Sequence, residues 1–255
     1  MGIDIEDLCF SYKDKKVLRN INLHFEKGKI YGLLGLNGSG KTTLLKLILG
    51  LLKEDQGMVS INEKNKLDYK VDEISKYIAY VPQNLSISYD VTVLDFILMG
   101  FNPFMKLFEK PSKNHELEAL ELLNQMQLSH LKENNLSSLS GGELQMVLIA
   151  RALIQNTEFI IMDEPVSNLD LKNQRHVLDK IKEISKLYKK AIIISLHDPN
   201  LIKKYCDYTI LLKDGEVISH GKSIEIINQK NLKKIFDMPF EKIQSTDDTY
   251  YFLGV

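Results

Sequence analysis

A glycine-rich turn between an apolar strand and a helix constrains this chain more than any other segment. It lies in the run Leu33–Thr43, where Gly35, Gly40, Lys41 and Thr42 have the spacing of a phosphate-binding loop. Successive backbone N–H groups of such a loop surround an anion, and the following helix adds the positive end of its dipole. We therefore expect Lys41 to reach the β- and γ-phosphates of a nucleotide, and the Thr42 hydroxyl to bind Mg²⁺.

The loop alone leaves the class of protein open between kinase, GTPase, transport motor and DNA-repair ATPase. The chain has 255 residues, 44% hydrophobic and 26% charged, which is ordinary for a globular protein. Its net charge of −1 argues against a large nucleic-acid surface. Cys9 and Cys206 lie far apart without CxxC spacing, which favours buried thiols in a reducing compartment. No apolar run reaches membrane-spanning length, and the acidic, alternating opening Met1–Glu6 is not a signal-peptide pattern.

The order of strand and helix patterns predicts an α/β fold. Strands alternate with helices through the middle of the chain, whereas the first strands read as hairpins, so we expect a parallel core with an N-terminal antiparallel β subdomain. An inserted α-helical subdomain is expected at about 92–155, within one domain of residues 1–240 that is followed by a C-terminal tail, 241–255. Residues 63–70 read as a loop. A helix is expected from Ser112, with Leu117, Leu120, Leu123 and Met126 at helical spacing.

Two acids follow the buried strand Phe159–Met162. Ligands of open α/β sheets bind at the carboxyl ends of the strands, so Asp163 is placed to hold the Mg²⁺ shell, and Glu164 to orient or deprotonate water. The alternative is that both acids only cap a turn before Pro165.

A second glycine turn, Ser140-Gly141-Gly142, begins another helix. Its hydroxyl, N–H groups and helix dipole suit phosphate, but a plain helix cap would look the same. Since one nucleotide does not need two such sites, we expect this turn to serve the nucleotide of another subunit. His197, after an apolar strand, is placed to donate to a γ-phosphate, although a lone histidine is more often structural. Tyr12 is placed to stack on adenine, or else is an ordinary core or surface tyrosine.

Together these residues resemble the ATPase family of ABC transporters over nearly the whole chain. The matching segments are Walker A at 35–42, the Q-loop at Gln83, the signature at 139–143, Walker B at 159–164, the D-loop at 167–170, the switch His197 and the aromatic Tyr12. The resemblance implies the RecA-like core of P-loop NTPases. It assigns catalysis to Glu164, His197 and Gln83, and Mg²⁺ to Thr42, Gln83 and Asp163. It assigns ATP contacts to Tyr12, Asn37, Gly38, Ser39, Gly40, Lys41, Thr42, Thr43, Ser140, Gly141, Gly142 and Asp170.

The same resemblance implies the partners. It predicts a head-to-tail homodimer with ATP between the Walker A loop of one copy and the Ser140 turn of the other. Integral-membrane permease subunits would hold the dimer peripherally at the cytoplasmic side of the cell membrane, with a substrate-binding protein as an indirect partner and no nucleic acid.

A finer resemblance, carried by Val93–Pro103, is to ATPases of importers for iron-siderophores, haem and cobalamin. The chain departs from many relatives at Glu143, Met146 and Val166, none of which is a phosphate ligand or catalytic acid.

The apolar stretch Phe101, Phe104, Met105, Leu107 and Phe108 either faces the permease or packs the helical subdomain. Two alternative functions are a nucleic-acid-associated ABC ATPase and a non-catalytic regulatory cassette. A repair or translation ATPase usually carries coiled-coil insertions or tandem cassettes, and a non-catalytic regulatory cassette would lack Glu164.

Overall fold

Twelve strands occur in the computed structural model, which describes residues 2–84, 90–106, 108–244 and 250–255. They are β1 Gly2–Tyr12, β2 Lys15–Glu26, β3 Ile30–Leu34, β4 Gln56–Ile61, β5 Lys64–Asn65, β6 Ile78–Val81, β7 Phe159–Met162, β8 Ala191–Leu196, β9 Tyr208–Lys213, β10 Glu216–Lys222, β11 Phe240–Gln244 and β12 Tyr250–Gly254.

Nine helices accompany these strands within the same described ranges. They are α1 Lys41–Ile48, α2 Val71–Ile74, α3 Val93–Leu98, α4 Lys113–Gln125, α5 Gly141–Ile154, α6 Leu171–Tyr188, α7 Pro199–Tyr205, α8 Ser223–Ile226 and α9 Gln229–Phe236. Among the residues that the structure describes, no helix has both the length and the apolar character needed to cross a bilayer.

The strands form two large sheets, as the sequence pattern predicts. The N-terminal sheet is antiparallel, in the order β2-β1-β4-β5, and β2 alternates exposed and buried residues over much of its length. The core sheet has the order β10-β9-β3-β8-β7-β6, in which only the β9–β10 pair is antiparallel. The predicted α/β class, with an antiparallel N-terminal piece, is therefore confirmed.

The core sheet is covered on both faces. Along β7, Ile160 and Met162 pack toward the helical side of the molecule, while Phe159 and Ile161 pack toward the N-terminal sheet and α1. All residues of β7 and β8 are buried, which explains their unbroken apolar sequence. The parallel register brings the carboxyl ends of β3, β6, β7 and β8 to one edge.

One local prediction was wrong in part, and the helix expected from Ser112 is confirmed, with Ser112 as its N-cap. The segment 63–70 is not all loop, because β5 pairs with β4 and a 3₁₀ turn at Lys66–Asp68 follows, with Asn65 accepting the N–H of Leu67. In α4 the buried residues are Ala119, Leu122 and Leu123, whereas Leu117 is 65% exposed. The helix therefore packs through its C-terminal half rather than along its whole length.

The aromatic stretch before α4 divides between core and surface. Phe101 is buried and its ring stacks on His115 at 4.4 Å between centroids, so the packing alternative applies to this residue. Phe104 and Phe108 are 54% and 92% exposed, and Met105 is half-buried. Leu107 lies outside the described residues.

Strands β11 and β12, near the end of the chain, pair with each other in an antiparallel register. Phe252 of β12 is buried in the main core, and Asn200 of α7 exchanges two hydrogen bonds with the Phe252 backbone. The expected boundary at residue 240 falls at the first residue of β11, so the described part of the segment 241–255 is attached to the core rather than extended from it.

Candidate active site

The loop from β3 to α1 forms an anion cradle. A Cβ at Gly35 would lie 2.2 Å from the Leu212 carbonyl oxygen, and Gly40 has φ +106°, so both positions require glycine. In the described part of the chain, no side chain caps α1, which leaves the first N–H groups of the helix for a ligand. The Ser39 Oγ is buried with no partner among the described residues.

Lys41 is folded into this loop. Its ammonium donates to the carbonyl oxygens of Gly35 at 2.8 Å and Leu36 at 3.2 Å, and the side chain is 5% exposed. Burial lowers the pKa of Lys41, and the nearby carboxylates of Glu164 and Asp163 oppose that shift without cancelling it. Among the described residues this buried ammonium has only carbonyl partners, so it is well placed to gain from an arriving phosphate.

Glu164 is the point where three distant segments meet. Its Oε2 accepts a hydrogen bond from Gln83 Nε2 at 2.6 Å, and its Oε1 lies 2.6 Å from His197 Nε2. Gln83 follows β6, Glu164 follows β7 and His197 follows β8, so the parallel register brings them to one edge. A carboxylate held between two polar groups in this way can orient and deprotonate a water molecule.

Asp163 is 2% exposed, and its Oδ1 accepts a hydrogen bond from Ser195 Oγ at 2.7 Å. Ser195 is fully buried and also accepts the backbone N–H of Glu164 at 2.8 Å. Our reading of the sequence missed Ser195, and the only signal was a polar residue near the end of an otherwise apolar strand.

The oxygen donors here suit Mg²⁺. Thr42 offers a hydroxyl, Gln83 an amide oxygen and Asp163 a carboxylate. The –NH₂ group of the Gln83 side chain already donates to Glu164. No cluster of three or more His, Cys, Asp or Glu that could cage a metal occurs in the described ranges. This pattern fits a cation held by a single carboxylate and neutral protein oxygens together with substrate phosphates and water.

A cavity of about 690 Å³ lies over the loop. The predicted residues that line it are Tyr12, Asn37, Gly38, Gly40, Lys41, Thr42, Thr43, Gln83 and Glu164. The sequence reading missed the lining residues Lys15, Lys16, Val17, Arg19 and Asp214. Tyr12 is 46% exposed, and its ring and that of Phe10 form an edge-to-face pair with 4.8 Å between centroids.

The Ser140 turn lies elsewhere on the surface. It contributes no residue to the lining of that cavity among the described residues, and Ser140 and Gly141 are exposed. Ser140 caps α5 in a reciprocal arrangement with Glu143, whose carboxylate accepts from the Ser140 hydroxyl at 2.6 Å and its N–H at 2.9 Å. These hydrogen bonds lower the pKa of Glu143.

Asp170 also lies outside the cavity lining of the described residues. Its carboxylate caps α6 by accepting the N–H of Asn173 at 2.8 Å and the side-chain amide of Asn173 at 2.9 Å. A Cβ at Gly142 would lie 3.1 Å from Asn173 Cγ, so this asparagine links Asp170 to the Ser140 turn. Asn173 was not anticipated, because nothing in its local sequence marks the contact.

The site has an anion-binding loop, a carboxylate held between two polar side chains, and hard oxygen donors at one sheet edge. These features define a P-loop nucleotide hydrolase. A family model described as ABC transporter matches residues 18–167. An iron chelatin transport ATP-binding protein of Helicobacter pylori (strain J99) is 38% identical over 248 residues, covering 97% of each chain.

Solved structures agree with these sequence matches. A metal-chelate type ABC transporter in an inward-facing conformation matches with a TM-score of 0.88 and 31% identity, over 100% of this chain and 97% of that chain. A dimeric ATP-binding cassette in a post-hydrolysis state with ADP and Pi matches with a TM-score of 0.74 and 28% identity, over 87% and 98%. The chain belongs to the ABC transporter family and is an ATP-binding subunit of such a transporter. It binds nucleotide and hydrolyses ATP to power transport.

Proposed function

We propose that this chain drives the import of an iron chelate, or of a related haem or cobalamin-type compound, through a separate membrane permease. The convergence of Gln83, Glu164 and His197 beside the P-loop carries the hydrolytic part of the proposal. The 38% identity to the iron chelatin transport protein, over 97% of both chains, supports the substrate class.

In this proposal each residue of the site has one role. Lys41 and the loop N–H groups hold the β- and γ-phosphates, and Tyr12 stacks on adenine. Glu164 takes a proton from the attacking water, and His197 contacts the γ-phosphate. Thr42, Asp163 and Gln83 would hold Mg²⁺, which when bound neutralises charge on the phosphates and orients them for in-line attack.

The exposed Ser140 turn supports a head-to-tail homodimer. Ser140 and Gly141 are exposed, and among the described residues the turn lies outside the lining of the cavity of its own copy. A two-fold operation that places this turn over the partner's P-loop would cover two nucleotides with identical contacts. ATP would then close the pair, and hydrolysis would open it.

An apolar groove supports docking of the permease. A cavity of about 380 Å³ lies between the core and the helical subdomain, expected at 92–155, and its lining includes Pro82, Phe96, Met99 and Leu148. It adjoins Gln83 through Pro82, so a permease segment in the groove would sense the state of the active site. Docking there would place the chain peripherally at the cytoplasmic side of the membrane.

The proposal is tested first by ATP turnover. Glu164→Gln keeps the shape of the side chain but replaces one acceptor oxygen with –NH₂, so it loses the base. We expect kcat to fall by about 10²- to 10⁴-fold, the usual contribution of a positioned general base, with ATP binding retained.

Phosphate release and size-exclusion chromatography with ATP provide the measurements. Glu164→Gln should accumulate as an ATP-bound dimer, whereas Lys41→Ala should lose ATP binding or turnover because the phosphate cradle is weakened. Unchanged hydrolysis in Glu164→Gln would refute the role of the carboxylate.

A further inference from the structure

The fully buried hydroxyl of Ser195 touches both acids of the active site at once. Its Oγ lies 2.7 Å from Asp163 Oδ1 and 2.8 Å from the backbone nitrogen of Glu164. Because a backbone N–H can only donate, the Ser195 oxygen accepts from Glu164 and its own hydrogen goes to the Asp163 carboxylate. One side chain therefore sets the position of two successive acids.

The backbone of Glu164 needs such support. Its φ is +49°, in the left-handed region that residues with a Cβ rarely adopt. This turn directs the Glu164 side chain to Gln83 and His197 instead of along the strand. Strand register supplies the partner, because Met162 pairs with Ile194 and Ser195 is the next residue of β8.

We propose that Ser195 is a positioning residue that aligns Asp163 toward Mg²⁺ and Glu164 toward the attacking water. The inference rests on the proposed roles of those two acids. Groups that orient metal-binding carboxylates typically change metal affinity or activity by about 10- to 100-fold when they are removed. A serine that only satisfied buried polar atoms would affect stability alone.

The test variant is Ser195→Ala, with Ser185→Ala as the matched control. Ser185 is also a buried serine, 4% exposed, and it donates to the Lys190 carbonyl oxygen at 3.0 Å, away from the site. Ser195→Cys keeps the shape of the side chain, with a larger sulfur atom that is a weaker donor and acceptor. It carries the test if the alanine variant does not fold.

The first readout is equilibrium binding of a fluorescent non-hydrolysable ATP analogue, in EDTA and in excess Mg²⁺. In Ser195→Ala, we expect the affinity in EDTA to stay near native, while the gain in affinity from Mg²⁺ shrinks about tenfold. The second readout is turnover, in which kcat should fall by about 10- to 100-fold. Ser185→Ala should lose thermal stability without changing either quantity, and Ser195→Cys should lie between Ser195→Ala and native.

The outcomes separate this inference from the proposed function. If native protein gains affinity from Mg²⁺ and Ser195→Ala retains both that gain and kcat, the role of Ser195 is overturned while the site assignments stand. If native protein gains nothing from Mg²⁺, the metal assignment and the role of Ser195 both fall. Equal weakening of binding with and without Mg²⁺ would reduce Ser195 to a structural role.

Discussion

A buried ion pair ties the β4–α2 connection to the end of the P-loop helix. Lys66 and Glu54 have side chains 2% and 3% exposed, and Lys66 Nζ lies 2.6 Å from Glu54 Oε2. The same ammonium donates to the Leu47 carbonyl oxygen at 2.8 Å, in the last turn of α1. Burial lowers the pKa of Lys66, while Glu54 acts in the opposite direction. Burying these two charges therefore costs desolvation free energy, and each charge is compensated only while the other is present.

Lys66→Met tests that dependence. It leaves the Glu54 carboxylate buried without its cation, and Glu54 Oε1 already has no partner among the described residues. Breaking a buried pair in this way costs about 3–5 kcal/mol of unfolding free energy. At roughly 2–4 °C per kcal/mol for a domain of this size, Tm should fall by about 6–20 °C.

Urea unfolding of the single variants and of the double variant Lys66→Met/Glu54→Leu measures the effect. The double variant should recover most of the loss, because replacing a whole buried pair with apolar groups is often neutral. Lys64→Met, two residues away, removes only a cation stacked on Tyr69 at 4.1 Å and should cost about 1 kcal/mol or less. A loss under about 1 kcal/mol for Lys66→Met, or additive losses in the double variant, would refute the reasoning.

Two further predictions concern acid stability and coupling to transport. Burial alone would raise the pKa of Glu158, but hydrogen bonds from Lys27 and Asn62 bring this pKa below its ordinary value. The contribution of Glu158 to the free energy of unfolding is therefore present above about pH 4.5 and is lost as pH falls through the lowered pKa. Glu158→Gln should flatten the acid side of the stability–pH curve measured by urea unfolding, and an unchanged curve would contradict this. Truncating the exposed Phe104 and Phe108 to alanine should uncouple transport while basal ATPase stays near native, whereas equal loss of folding and ATPase would contradict a role in contacting the permease.

Short-range patterns in the sequence were sufficient for the strands of the core sheet, for the helix that begins after Ser112 and for the P-loop, but not for β5, β11 and β12. The spacing from Gly35 to Thr42 depends only on local backbone conformation, and the apolar runs of β7 and β8 follow from burial on both faces. The placement of Asp163, Glu164 and His197 at strand ends was also readable, since parallel strands end at one edge of a sheet.

Contacts between distant segments were decided only by the tertiary structure. The bonds of Ser195 to Asp163 and Glu164 depend on the register of two strands, and the burial of Lys66 depends on where α1 ends. The sequence by itself thus determined the spacing of the P-loop and which acids follow the strands. Packing between elements determined which neutral side chains hold those groups in place, because a hydrogen bond or buried ion pair across tens of residues leaves no periodic trace in the chain.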